Sequence, residues 1–258
     1  MQLCGEHTYT SEDFSPSISI GNVPQLTVDL LITNLRLQRI GFLEDENVIP
    51  VAGASETGVA VAVEVYQSSD NEWTVIQQRA PVIKKKWRIF AQNLLTFIKE
   101  SRFSKVILLS SADATRRMDF QLTGIPLRFL MTSSLPDNFS EKAVDLGLKV
   151  MEKIPKDRFE SLNEYLGKKQ DEADLPSIPG GGISKHLFFE CQKEKIPLLM
   201  IICFAIEGDN TQDAFLLADY TNALLGLIPH QDTLTKCWKM PSSWAGLFGT
   251  PYDQSLYQ

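Results

Sequence analysis

The run Ile178-Pro179-Gly180-Gly181-Gly182-Ile183-Ser184-Lys185 holds the residues best suited to receive an anion. Three successive glycines carry a high conformational cost, which a chain keeps where the backbone takes positive φ or must approach something closely. Residues 186–191 behind them read as a helix, so the N–H groups of the turn would face a helix start. That geometry attracts phosphate or carboxylate, and it serves equally well to hold another loop. The spacing misses both nucleotide loops. G-x-x-x-x-G-K-[ST] puts its second glycine where Lys185 stands, and G-x-G-x-x-G needs a glycine at Lys185 or His186 with a strand directly upstream. Upstream lies the charged run 167–174 instead. Gly180, Gly181 and Gly182 therefore read first as a structural turn.

Ser110, Ser111 and Asp113 follow an apolar run, at the strand end where α/β proteins place their sites. A hydroxyl nucleophile there needs a base, and His7, His186 and His230 stand in unrelated contexts. No HExxH or other metal-ligand spacing occurs. Gly53-Ala54-Ser55-Glu56-Thr57-Gly58 misses the G-x-S-x-G elbow by one residue and joins two strands instead of a strand and a helix. Glu207 and Asp209 also follow a strand, but Asp209 and Asn210 are residues that cap helices. No catalytic residue, metal or cofactor is expected. At the end of the chain, Leu256-Tyr257-Gln258 sets a hydrophobic residue and a tyrosine beside a carboxylate. Capture of such an end by a basic group and a side-chain pocket is one known mode of recognition, and a frayed terminus is the competing reading.

The elements that must position these groups follow from periodicity. Residues 14–20 alternate as a first strand. Asn22 with Gln25 suggests a capping box, and Pro24 sits in the first turn of the helix that follows. That helix carries two apolar stripes, Leu26 with Leu30 and Val28 with Leu31, Ile32 and Leu35. It must pack on a sheet and on a second body, within the chain or on a partner. Strands are predicted at 39–43, 48–52, 59–66 and 73–78, with 59–63 paired to 73–76 as a hairpin. Ile83, Trp87, Phe90, Leu94, Phe97 and Ile98 recur at helical spacing, and 105–110 is a continuous apolar run typical of a central parallel strand. A strand at 126–131, helices at 141–151 and 159–166, a buried strand at 196–206 and a last helix through Phe215, Ala218 and Leu224 complete the series. The alternation predicts an α/β fold, a single three-layer α/β/α sandwich with a largely parallel central sheet. Residues 1–238 form its body, and 239–258 form a tail strapped to it by Trp244, Leu247 and Phe248.

The totals narrow the function. With 258 residues, 43% hydrophobic and 22% charged, the chain is an ordinary globular one able to bury a core. A net charge of −7 disfavours nucleic acid, and Lys84-Lys85-Lys86 and Arg116-Arg117 read as small solvated clusters. Cys4, Cys191, Cys203 and Cys237 lack paired spacing, which fits a reducing compartment. No basic-then-apolar leader is visible, and the longest apolar run, 196–206, is too short to span a bilayer. A cytosolic or nuclear location without membrane contact is expected.

Taken in order, residues 18–26, Val106 to Ser111, the glycine run, Glu207-Gly208-Asp209-Asn210, and Pro241-Ser242-Ser243-Trp244 with Leu247-Phe248-Gly249 resemble the proteasome assembly chaperone family over nearly the whole chain. The resemblance implies a nucleoside phosphorylase-like α/β/α fold and a non-enzymatic role. It implies a heterodimer with a related first assembly chaperone, which binds proteasome α subunits while the α ring forms and keeps α rings from dimerising off-pathway. In fungal relatives a hydrophobic-Tyr-any tail enters a pocket between α subunits, and Leu256, Tyr257 and Gln258 match that pattern. The two-faced first helix and the aromatic tail supply candidate contact surface. The alternative is a nucleoside phosphorylase- or hydrolase-like enzyme that holds an anion at the glycine turn beside Ser110, Ser111 or Asp113.

Overall fold

The computed structural model describes residues 12–16, 19–55, 58–153, 175–228 and 238–245. In chain order these carry β1 (Glu12–Pro16), a 3-10 turn (Ile20–Asn22), α1 (Val23–Asn34), β2 (Gln38–Phe42), β3 (Ala52–Ser55), β4 (Gly58–Val61), β5 (Val63–Gln67) and β6 (Trp73–Gln78). There follow α2 (Trp87–Glu100), β7 (Val106–Asp113), β8 (Leu127–Met131), α3 (Asn138–Asp145), β9 (Lys149–Val150), α4 (Ser184–Lys193), β10 (Leu198–Ala205) and α5 (Thr211–Leu225). Eight strands form one sheet in the order β2-β5-β6-β1-β7-β10-β8-β9, and β3 and β4 form a separate hairpin.

The middle of the sheet is parallel: β1 runs with β6 and β7, and β7 runs with β10. Antiparallel pairs β2–β5, β5–β6 and β8–β10 flank it, so the fold is mixed α/β. Strand alternation divides the apolar residues between two faces. Ile107, Leu109, Leu199 and Ile201 face α1, α3 and α5, whereas Val106, Leu108, Leu198 and Met200 face α2 and α4. Because β7 and β10 are covered on both sides, β10 is apolar throughout and β7 is apolar from Val106 to Leu109. The amphipathic pattern of α2 buries Phe90, Leu94, Phe97 and Ile98.

Several expectations shift. The run 59–66 is two strands. Gly58–Val61 turns back on Ala52–Ser55, and only Val63–Gln67 pairs with Trp73–Gln78. Uniform Val/Ala alternation contains no signal for the break at Ala62. Val48 makes one isolated bridge to Val82, and the strand begins only at Ala52. The helix expected at 141–151 starts earlier and ends at Asp145, and Lys149–Val150 instead adds a strand beside β8. The helix expected at 159–166 lies outside the described residues.

The second body against α1 comes from within the chain. Thr27 Oγ1 donates to the Val23 carbonyl at 2.9 Å and to the Ala214 carbonyl of α5 at 3.3 Å, a close helix contact that small side chains permit. Residues 238–245 cover the same pair of helices. Asn34 exchanges hydrogen bonds with the backbone of Lys239 at 2.9 and 3.1 Å. Trp238 donates its indole N–H to Asp219 at 2.7 Å, and the buried Trp244 packs near Phe215 of α5. Leu26, Leu30, Val28 and Leu31 are thereby buried inside the fold, and Ile32 and Leu35 pack half-buried against it.

Candidate functional site

The strand end that the sequence marks for chemistry is where four separated stretches meet. Ser110 and Ser111 do not follow β7; they lie within it, and both are fully buried. Ser111 donates to the Ile20 carbonyl at 2.6 Å, lies 2.7 Å from the Ser19 hydroxyl, and its backbone N–H reaches Ser19 Oγ at 3.0 Å. On its other flank β7 meets the glycine turn. The Asp113 N–H donates to the Pro179 carbonyl at 2.8 Å, and the Ile20 N–H to the Gly180 carbonyl at 2.9 Å. Ser110 donates to Ser184 at 2.9 Å, and Ser184 in turn donates to the Gly181 carbonyl.

The glycines answer to space as well as to torsion. A Cβ on Gly181 would stand 2.5 Å from Ile178 Cγ2 and 2.9 Å from Ser184 Oγ. Across the junction, Gly21 has φ +69, and its carbonyl accepts from Asn210 Nδ2 at 3.1 Å. The same amide reaches the carbonyls of Ile206 and Gly208 at 3.0 Å each. Asn210 is thus spent on backbone carbonyls and does not cap α5 with its side chain. Asp209 accepts from the Thr211 N–H and hydroxyl, which holds its carboxyl below the usual range. Asn22 also does not form the expected capping box. Its backbone is left-handed, and its side chain accepts from Gln25 Nε2 at 3.4 Å.

This arrangement offers little to a reaction. The serines bond to one another and to carbonyls, with no histidine among those partners. Asp113 is an acceptor for the Thr115 hydroxyl and N–H, and those bonds lower its pKa. His186 stacks on Trp87, ring centroids 3.4 Å apart, while His7 and His230 lie outside the described residues. Burial pushes the Cys203 thiol up, away from the thiolate a nucleophile needs. Among the described residues no cluster of His, Cys, Asp or Glu could hold a metal ion, and no helix is long and apolar enough to cross a membrane. Ser184→Ala should cost roughly 1–3 kcal/mol, because it leaves buried polar groups unpaired; urea unfolding would measure it, and an unchanged midpoint would contradict the network.

Exposed apolar side chains gather elsewhere. Ile40 and Phe42 project from edge strand β2, and Ile49, Val51 and Val59 lie on or before the β3–β4 hairpin. Arg39 ties the two together, donating to the Val59 carbonyl at 2.6 Å and to Glu64 at 2.8 Å. Glu64 continues through Arg79 (2.8 Å) to Asp29 (3.1 Å), and Asp29 accepts from Gln77 at 2.8 Å and from the Trp244 indole at 3.4 Å. This polar chain has no sequence signature, since its members are far apart and individually ordinary. Leu256, Tyr257 and Gln258 lie outside the described residues.

Comparison with known proteins gives a consistent result. The model of the PAC2 family matches residues 14–207. Proteins called proteasome assembly chaperone 2 are similar over most of their length. The one from Danio rerio is 37% identical over 94% of this chain and 93% of its own. That from Nematostella vectensis is 40% identical over 85% and 90%, and that from Homo sapiens 32% identical over 98% of each. Among solved structures, Pyrococcus furiosus PbaA, described as an archaeal homolog of proteasome-assembly chaperone, superposes with a TM-score of 0.65 at 15% identity, covering 90% of this chain and 89% of its own.

Proposed function

This chain belongs to the PAC2 family, and from that premise we propose that it is a proteasome assembly chaperone, acting by binding rather than by catalysis. The observation that carries this reading is the end-to-end similarity to proteins of that name, 98% of both chains in the human case. In this reading it forms a heterodimer with proteasome assembly chaperone 1. The pair binds α subunits and α-ring intermediates of the proteasome core particle, promotes ring assembly and prevents off-pathway α-ring dimers. Neither cofactor, nucleic acid nor membrane enters the scheme, and it operates in cytoplasm and nucleus. The fold is read as a three-layer, nucleoside phosphorylase-like α/β/α sandwich over residues 1–238. Helices against both sheet faces support that. Residues 239–258 are the tail, with Leu256, Tyr257 and Gln258 as the part that grips the α ring. Burial of Ser110 and Ser111 speaks against the enzymatic alternative.

Affinity capture of the tagged chain from cells, read by quantitative mass spectrometry, should recover the first assembly chaperone and α subunits but not mature catalytic subunits. Recovery of neither refutes the proposal. Deleting residues 256–258 should deplete α subunits while the heterodimer stays intact; equal recovery would remove the tail from the mechanism. Turnover of purine nucleosides with phosphate, lost on Gly181→Ala, would reinstate the enzyme.

A further inference from the structure

A cavity of about 480 Å³ opens between the segment 81–85 and the start of α4. Its volume lies within the range of roughly 300–1,000 Å³ typical of ligand pockets. It sits beyond the C-terminal end of β6, which runs parallel to β1, on the side of the sheet end where α/β folds place ligands. Pro81, Val82, Ile83 and Ile183 give it apolar walls, and Lys84 and Lys85 stand exposed at its edge.

Those lysines are presented by a fixed turn. The Ile83 N–H donates to the Asn47 carbonyl at 2.8 Å and the Lys86 N–H to the Ile83 carbonyl at 2.9 Å. Lys85 itself has φ +69, a left-handed conformation that is uncommon outside glycine and costs on the order of 1–3 kcal/mol. The opposite wall is also set: Trp87 and His186 stack 15° from parallel, and Arg88 lies 4.7 Å from the Trp87 ring centroid. With His186 against one face and Arg88 over the ring, Trp87 offers no open face to a nucleobase.

We propose that this cavity binds an acidic peptide segment of a partner protein, an apolar side chain entering between Ile83 and Ile183 and the adjoining Asp or Glu carboxylate meeting Lys84 and Lys85. The charge pattern favours this occupant. On a chain of net charge −7, a cationic rim around an apolar hollow selects an anionic ligand with a greasy neighbour. The site is independent of the tail, and its failure leaves the chaperone assignment standing, because the two are read by different measurements.

The probe is the peptide acetyl-Gly-Leu-Glu-Glu-Gly-amide, titrated into the full chain while the Trp87 indole N–H is followed by NMR, assigned by its loss in Trp87→Phe. A saturable shift is expected, weakened about tenfold or more by the paired change Lys84→Glu and Lys85→Glu, by Gln in place of both peptide glutamates, and by high salt. Unfolding curves of the lysine variant should match the parent, since both side chains are solvent-facing. No shift at millimolar peptide, or equal binding by the lysine variant or the Gln peptide, overturns the proposal. Tighter displacement of the same signal by inorganic phosphate or AMP also overturns it, in favour of a small-anion site.

Discussion

Gly21→Ala is expected to lower stability by roughly 3–5 kcal/mol, the sum of a left-handed alanine and an overpacked contact. Gly21 sits at φ +69, and an added Cβ would stand 2.5 Å from Asn210 Nδ2 and 2.9 Å from the Ile206 carbonyl. Asn210 cannot step aside cheaply. Its amide serves three carbonyls from a position only 2% exposed, so relief at Gly21 leaves those acceptors unpaired. Gly41→Ala is the control, because nothing lies within 4 Å of a Cβ there and its φ is not in the left-handed region. Urea unfolding of both variants decides the matter. If Gly21→Ala unfolds at the same midpoint as Gly41→Ala, the junction of residues 19–22, 110–113, 178–184 and 206–210 is not what holds the strand ends together.

Glu64→Gln should be nearly as damaging. The carboxylate is 1% exposed and faces Arg39 and Arg79 at 2.8 Å each, with the Tyr66 hydroxyl at 3.2 Å. Neutralising it leaves two guanidinium groups opposed, and we expect a loss of about 3 kcal/mol, near the low end for a buried charge stripped of its partner because both arginines reach water. Burial alone would raise the Glu64 pKa, but hydrogen bonds from Arg79 and Arg39 outweigh it and hold the native value low. A carboxylate depressed in the native state contributes its full stability above its unfolded pKa and loses it as pH falls through the native one. The gap between the parent and Glu64→Gln should therefore be widest near neutral pH and close in acid. A gap that widened in acid would reverse the assignment.

What was legible in the sequence was whatever depends on neighbours along the chain. Continuous apolar runs marked the two central strands β7 and β10, and the spacing of Phe90, Leu94, Phe97 and Ile98 marked α2. The stretches that carry the family resemblance proved to touch, as residues 19–22, 110–113, 178–184 and 206–210 share one hydrogen-bonded junction. Illegible was whatever depends on groups distant in sequence. Serines at 110 and 111 look like a strand exit because hydroxyls normally seek water, yet here each is satisfied by residues about 75–90 positions away. The two stripes of α1 announce a second contact, but its sources, α5 and residues 238–245, lie some 180 or more positions away in sequence. Lys84, Lys85 and Lys86 are exposed, as a solvated cluster should be, and the turn that carries them borders a cavity whose far wall, Gly182 to His186, lies about a hundred positions away.

The seating of residues 238–245 has a mechanical corollary. A pull applied at residue 245, the last of the described segment, reaches Trp244 through a single peptide bond. Trp244 hands that pull to Asp29, and through it to Arg79, Glu64 and Arg39 across the sheet edge, while Asn34 and Asp219 hold Lys239 and Trp238, five and six residues upstream. Tugging on such a mooring loads two buried helices together instead of peeling one strand from an edge.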